Sequence, residues 1–247
     1  MSYVIEQRLM AGLPNKALTA ARYVIAHESG NAKNNGPKAL ENEIAFMDRN
    51  KANAYTSHWV GDGGRIVQVA PVNKVQYGCG PKGNPLSYAQ VELARTSDKE
   101  QFKKDYAAYI WLLRKLAKDA GIPIVLDGIG NGIKSHRWIT NNLGGTTHVD
   151  PYSYLQSMGV SEAQFKLDIK NGFKVDDKKE EVKMNVLNDT GRKEIRELLK
   201  KARNRTYKVN GNDKPVIDPN IHTDIKIDSY TDEQLLSYQS AVFNRTF

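Results

Sequence analysis

Between Ser135 and Leu155 the sequence reads SHRWITNNLGGTTHVDPYSYL, which sets His136, His148 and Asp150 around a Gly144-Gly145 turn. So dense a set of borderline-soft ligands points to half of a metal site. A catalytic zinc site takes three imidazole or carboxylate ligands and keeps a further position open for water. The partner from elsewhere in the chain is expected to be His27, which closes the apolar run Tyr23-Val24-Ile25-Ala26. Within the Ser135–Leu155 stretch, His136 is the expected second ligand, and the third lies between His148 and Asp150. Glu92 is the other residue suited to chemistry. It sits in the apolar run Val91-Glu92-Leu93, where an unpaired carboxylate is costly, so it calls for a partner, a structural ion pair being the plain reading.

These side chains need elements to hold them. Tyr23 to His27 reads as a buried strand with its last residue at the rim. Leu40, Ile44 and Met47 recur at helical spacing after Asn35-Gly36-Pro37. His58-Trp59-Val60, the turn Gly61-Asp62-Gly63-Gly64, and Ile66 to Val69 read as a hairpin. Gly78 to Pro85 reads as a loop, and Tyr88 to Ala94 as a strand. Ser97 with Glu100 predicts a capping box for a long helix carrying Phe102, Tyr106, Tyr109, Ile110, Leu113 and Leu116, ended by Gly121 and Pro123. A strand at Ile122 to Leu126 is expected to lead into the loop bearing His136, and Ser161 with Gln164 to cap a last helix ending at Asn171-Gly172. Alternating strands and helices predict an α/β domain with a mixed central β-sheet flanked by helices over residues 1–172. The charged run VDDKKEEVK lies in an expected linker, 173–183. Residues 184–247 carry two further helical stripes, Ile195, Leu198, Leu199, Ala202 and, after a Thr231/Gln234 capping box, Leu235, Tyr238, Val242. They predict a small helical C-terminal module suited to cell-wall binding or to dimerisation, and the oligomeric state is not readable from the sequence.

Four segments, YVIAHESGN (Tyr23 to Asn31), SHWVGDGGRIVQVAP (Ser57 to Pro71), YAQVELART (Tyr88 to Thr96) and SHRW with GTTHVDP (Ser135 to Pro151), occur in one order. In that order the chain resembles the zinc-dependent N-acetylmuramoyl-L-alanine amidases, a family that includes peptidoglycan-recognition proteins and many phage endolysins. The resemblance covers roughly Met1 to Gly159. It implies Zn2+ as cofactor and cleavage of the amide between N-acetylmuramic acid and the L-alanine of a peptidoglycan stem peptide. Asp150-Pro151 matches the family's Cys or Asp before proline, so it implies His27, His136 and Asp150 as ligands. His148 falls on the basic position that stabilises the transition state, and Glu92 on the residue that orients or deprotonates the zinc water. Two positions depart from the pattern: Ser57 stands where relatives often have a tyrosine that assists at the metal, and Glu28 follows His27 where a small or amide residue is usual.

The chain has 247 residues and a formal charge of +8, enough for one sizeable domain and a smaller one. The excess charge, mainly in the first 170 residues, suits a polyanionic partner such as anionic wall polymers, or a solubilising surface. No apolar stretch has the length of a signal or a membrane span. Cys79 is the only cysteine, which excludes an intrachain disulfide and fits a reducing compartment. The expectation is therefore a chain made without an export signal in the cytoplasm and acting on the wall after release by lysis, as a phage or prophage endolysin does. A binding protein that holds muropeptide without cutting it is the second reading, and a metal-dependent nuclease a third. No nucleic acid partner and no membrane insertion are expected. Cys79 as a nucleophile would need a histidine partner; His58 reads as structural and His222 as plain surface.

Overall fold

In the computed structural model residues 3–173, 189–209, 212–215, 223–230, 234–235, 238–239 and 242 are described. The chain divides into two compact units, Met1–Asp176 and Asp177–Phe247. The first runs β1 (Ile5–Gln7), β2 (Tyr23–Glu28), α1 (Ala39–Asn50), β3 (His58–Gly61), β4 (Arg65–Gln68), α2 (Gly80–Gly83), β5 (Ser87–Leu93), α3 (Lys99–Asp119), β6 (Gly132–Ser135), α4 (His136–Asn142), α5 (Tyr152–Ser157) and α6 (Glu162–Asn171). Six strands form one sheet in the order β1-β4-β3-β5-β2-β6. The β3–β4 hairpin is antiparallel, and the other pairings are parallel, so the mixed α/β architecture read from the sequence is the observed one.

The period of two along a strand sorts the sheet into two faces. Val24 and Ala26 of β2, Ala89, Val91 and Leu93 of β5, and Val60 and Ile66 of the hairpin pack with Tyr109, Leu112 and Leu113 of α3 in the main core. Burial of each such Leu or Ile side chain contributes about 1.5–3 kcal/mol. On the opposite face are two smaller apolar clusters. One joins Leu40, Ile44 and Met47 of α1 to Trp59 and Val67; the other joins Tyr23 and Ile25 of β2 to Cys79 and Ile139. His27 continues the alternation of Tyr23 and Ile25 and therefore falls on this second face.

Several local expectations are corrected. Ile122 to Leu126 forms no strand: Pro123 lacks a ladder donor, and Ile122 and Leu126 are buried in the core through their side chains instead. The strand beside β2 is β6, ten residues later, which its sequence Gly-Ile-Lys-Ser does not advertise because its inward Lys134 is fully buried. Its ammonium lies 4.4 Å from the Trp138 ring centroid and donates to the Gly128 carbonyl. Helix α3 is capped by Asp98 rather than Ser97: its carboxylate accepts from the backbone N–H groups of Glu100 and Gln101 at 2.8 and 3.1 Å. The Gly78 to Pro85 segment holds the short helix α2 and a 3-10 turn, with prolines in first-turn positions where no donor is needed. Ser161 caps α6 as read, accepting from Gln164 N–H at 3.1 Å.

The second unit contains α7 (Asp189–Arg203), β7 (Thr206–Val209), β8 (Asn212–Pro215) and α8 (Asp224–Asp228). Ile195, Leu199 and Ala202 pack with Ile227, Tyr230, Leu235 and Val242, which matches the apolar stripes, with Leu198 half-buried at their margin. The antiparallel β7–β8 hairpin departs from the helical module expected: Thr-Tyr-Lys-Val alternates over only four residues and Asn-Asp-Lys-Pro carries no apolar pattern. The VDDKKEEVK run, Thr231 and His222 lie outside the described residues. Among the described residues no helix is long and apolar enough to cross a membrane.

Candidate metal centre

His27 lies near the C-terminal end of β2, His136 is the first residue of α4, and Asp150 follows the loop out of α4. These three side chains each offer a ligand atom, all within 4.8 Å of one another. His27 Nδ1 is 3.1 Å from Asp150 Oδ2, and His136 Nδ1 is 3.1 Å from Asp150 Oδ1. The two imidazoles meet edge to face with centroids 4.7 Å apart. Tetrahedral ligands bonded to zinc stand about 3.3 Å apart, so the spacing suits a single ion of that size.

The tautomers suit it as well. His27 Nε2 is 3.1 Å from Gln90 Oε1 and His136 Nε2 is 2.9 Å from Thr146 Oγ1. Without an ion each Nδ1–H donates to Asp150; with the proton moved to Nε2, which then donates to Gln90 or Thr146, each Nδ1 presents the lone pair that a cation requires. Gln90 is fixed in turn by its amide, which donates to the Gln76 carbonyl and to Asn84 Oδ1 at 3.4 Å. The Tyr109 hydroxyl donates to the His27 carbonyl at 2.9 Å and pins the strand end from the other face. Gln90 and Thr146 were not singled out from the sequence. A polar residue two positions before Glu92, and so on the same face, was the available signal for Gln90.

Electrostatics concentrate on the same atoms. Burial alone would raise the Asp150 carboxyl, yet the hydrogen bonds from His136 and His27 hold it well below the usual carboxylate range. Burial disfavours a charged His27, but its hydrogen bond to Asp150 and the negative charges of Glu92 and Asp150 outweigh it and raise its pKa. His136 goes the other way, because burial and the neighbouring His27 and His148 outweigh its bond to Asp150.

Glu92 of β5 is the register partner of His27 in β2. Partners in adjacent parallel strands share a face at about 4.8 Å separation. The Glu92 Oε2 atom is shut off from solvent and has no hydrogen-bond partner among the described residues. Burial pushes this carboxyl up to about 8, with the charge of His27 acting against the shift. Among the described residues no Lys or Arg forms an ion pair with Glu92, so the ion-pair reading finds no partner there.

His148 is placed at the mouth of the site. Its ring stacks on His136 at 5.0 Å and 7°, its Nδ1 is 3.9 Å from Asp150 Oδ1, and its side chain is 72% exposed. It lies outside the group of three that converges. From His136 and His148 an open groove of about 560 Å³ runs past Thr146 to Tyr77, Asn84 and Lys16.

The remaining polar residues of the sequence reading settle into structural places. Glu28, the departure beside His27, points to the other face of the sheet and accepts from Arg95 at 2.6 and 2.7 Å. Arg95 also stacks over the Tyr154 ring at 5.0 Å, so the extra charge is neutralised locally. Cys79 is buried in an apolar cluster, and burial pushes its thiol up to about 12 despite a contact with Ser87, which leaves no thiolate for nucleophilic chemistry. His58 is buried against α3, its Nδ1 2.9 Å from Ser57 Oγ. Burial, helped by the charge of Lys115, pushes it down to about 3, so it is a neutral core histidine.

Residues 17–153 match the Amidase_2 family, described as N-acetylmuramoyl-L-alanine amidase. The endolysin of Listeria phage A511 is 52% identical over 173 residues, 68% of this chain and 50% of that protein. The lytic amidase of Streptococcus pneumoniae phage HB-3 is 44% identical over 170 residues, 67% of this chain and 52% of that one. The chain thus spans about half the length of the curated relatives it matches. The crystal structure of the Staphylococcus aureus hydrolase AmiA in complex with its ligand superposes with a TM-score of 0.62 at 25% identity, covering 70% of this chain and 84% of that one. The matched residues contain all of His27, Glu92, His136, His148 and Asp150, and the chain belongs to the N-acetylmuramoyl-L-alanine amidase family.

Proposed function

We propose that this chain is a zinc-dependent N-acetylmuramoyl-L-alanine amidase that acts on bacterial peptidoglycan as a phage or prophage endolysin. The observation that carries the proposal is the convergence of His27, His136 and Asp150 within 4.8 Å, beside the unpartnered Glu92 oxygen. The phage origin of two similar proteins, an endolysin and a lytic amidase, supports the biological setting.

His27 and His136, through Nδ1, and Asp150, through its carboxylate, would hold the ion. Zinc held there would supply Lewis-acid polarisation of the scissile lactyl carbonyl and would make water easier to deprotonate near neutral pH. Glu92 takes the proton of the attacking water at Oε2, and its burial makes it a stronger base than a solvated carboxylate. His148, at the mouth, donates a hydrogen bond to the oxyanion that develops on the carbonyl. The carbon–nitrogen bond then breaks, the proton held by Glu92 passes to the departing amine, and the products are a lactyl carboxylate and a peptide with a free N-terminal alanine. The groove toward Tyr77 and Lys16 receives the muropeptide.

Mass spectrometry of digested peptidoglycan tests this: free N-terminal alanine with intact glycan is expected, whereas new reducing sugar ends would mean a glycosidase. Loss of clearing on chelation and its return with zinc tests the metal requirement. For the second unit we assign wall binding, supported by an apolar core of its own that makes it a separate compact body. A chain cut after Gly172 should bind cells less well than the full chain, and equal binding would refute that assignment.

A further inference from the structure

The two segments that bring His136 and Asp150 to the site have a common anchor, Asp127. Its carboxylate accepts from Ser135 N–H through Oδ1 at 2.7 Å and from Ser135 Oγ–H through Oδ2 at 2.7 Å. The same Oδ2 accepts from the Tyr152 hydroxyl. Ser135 is the N-cap of α4, with its Oγ accepting from Trp138 N–H at 3.0 Å, and His136 is the next residue. Tyr152 opens α5 two residues after Asp150. One carboxylate therefore joins the start of the helix that carries one ligand to the start of the helix that follows the other.

The backbone at Asp127 sharpens the point. Its φ is 51°, in the left-handed region, where an L side chain costs about 1–2 kcal/mol relative to the ordinary conformation. The surrounding sequence Asp127-Gly128-Ile129-Gly130-Asn131-Gly132 uses glycine freely, and glycine at 127 would be free of that cost. An aspartate kept in such a conformation has its side chain held by three hydrogen bonds. A bridge between the segments also exists on the main chain, where Arg137 N–H donates to the Asp150 carbonyl at 3.2 Å, and Asp127 adds the side-chain half of the same clamp.

We propose that Asp127 is a positioning residue, which locks the His136-bearing and Asp150-bearing segments together so that both ligand atoms meet at one cation. The proposal rests on the metal reading given above. Outer residues that orient ligands change metal affinity by about 10–100-fold when lost, and a carboxylate one step further out is expected at the low end of that range.

The test uses the full chain. Zn2+ affinity is measured by competition with a chromophoric chelator, the visible spectrum is recorded after Co2+ substitution, and imidazole 15N shifts are recorded without metal. Asp127→Ala should weaken Zn2+ about tenfold, alter the Co2+ spectrum, and move the His136 Nδ1 shift away from its hydrogen-bonded value. Tyr152→Phe, which removes one hydroxyl and spares the fold, should give a smaller change in the same direction. Glu162→Gln, which breaks the Arg137–Glu162 pair at α4 without touching the clamp, should leave all readouts in place. Unchanged affinity and spectrum in Asp127→Ala and Tyr152→Phe, even with a lower Tm, would overturn the proposal. A wild-type chain that binds no zinc would fail the metal reading instead. The metal-free 15N shifts then decide the clamp by themselves: it stands if Asp127→Ala moves the His136 shift and falls if it does not.

Discussion

Glu92 stands opposite His27 across the β5–β2 pairing, and its Oε2 is buried without a hydrogen-bond partner among the described residues. A carboxylate buried this way is costly, and the cost is intelligible if the oxygen is kept free for a proton. Its place in the register puts that oxygen on the same face as the ligand set.

Glu92→Gln keeps the shape and removes the base. The expected result is a fall in kcat of about 10²–10⁴-fold with zinc stoichiometry unchanged. Turbidity clearing beside metal analysis of the same sample checks both halves, and full activity in the variant would remove Glu92 from the chemistry.

Gly78 lies against Gln90. A Cβ at this position would come within 2.3 Å of Gln90 Oε1 and 2.7 Å of Thr56 Cγ2, so any side chain pushes away the oxygen that holds His27 Nε2. Gly78→Ala should therefore weaken zinc binding about tenfold as well as lower Tm, and a variant with native zinc affinity would argue against Gln90 as the orienting group.

The Glu28–Arg95 pair is bidentate and largely buried. Removing one partner strands the other, so Arg95→Ala should cost about 3–5 kcal/mol. Glu28→Gln combined with Arg95→Met should cost less than Arg95→Ala by itself. Urea unfolding of Arg95→Ala, of Glu28→Gln and Arg95→Met singly, and of the double variant gives the comparison, and strict additivity of the Glu28→Gln and Arg95→Met costs would show that the pair is not coupled.

His58 makes stability depend on pH. Its native pKa is pushed down to about 3, whereas in the unfolded chain it returns to about 6.5. The unfolded state therefore binds the extra proton first: the contribution is intact above pH 6.5 and is lost as pH falls toward 3. Between pH 8 and pH 5 the loss is about 2 kcal/mol. His58→Gln should flatten the profile of unfolding free energy over that window, and an unchanged slope would place the acid sensitivity elsewhere.

What the linear chain determined by itself was the inventory and its order. Strand β2, helix α3, the β3–β4 hairpin and the α1 stripe follow from periods of 2 and 3.6 in apolar residues, because burial in water acts on every such pattern locally. The clustering of His136, His148 and Asp150 near a glycine turn, and the costly Glu92 in an apolar strand, were likewise visible. The tertiary structure decided what depends on atoms far apart in sequence. His148 falls outside the converging group because its ring is stacked on His136 at the rim. Gln90 and Thr146 meet the rings of His27 and His136, and Asp127 ties Ser135 to Tyr152, through hydrogen bonds that no local pattern encodes, and β6 forms around a buried lysine because Trp138 and the Gly128 carbonyl receive its charge. Hydrophobic periodicity is a one-dimensional signal, whereas the partner of a buried polar group is fixed only when the chain closes in three dimensions.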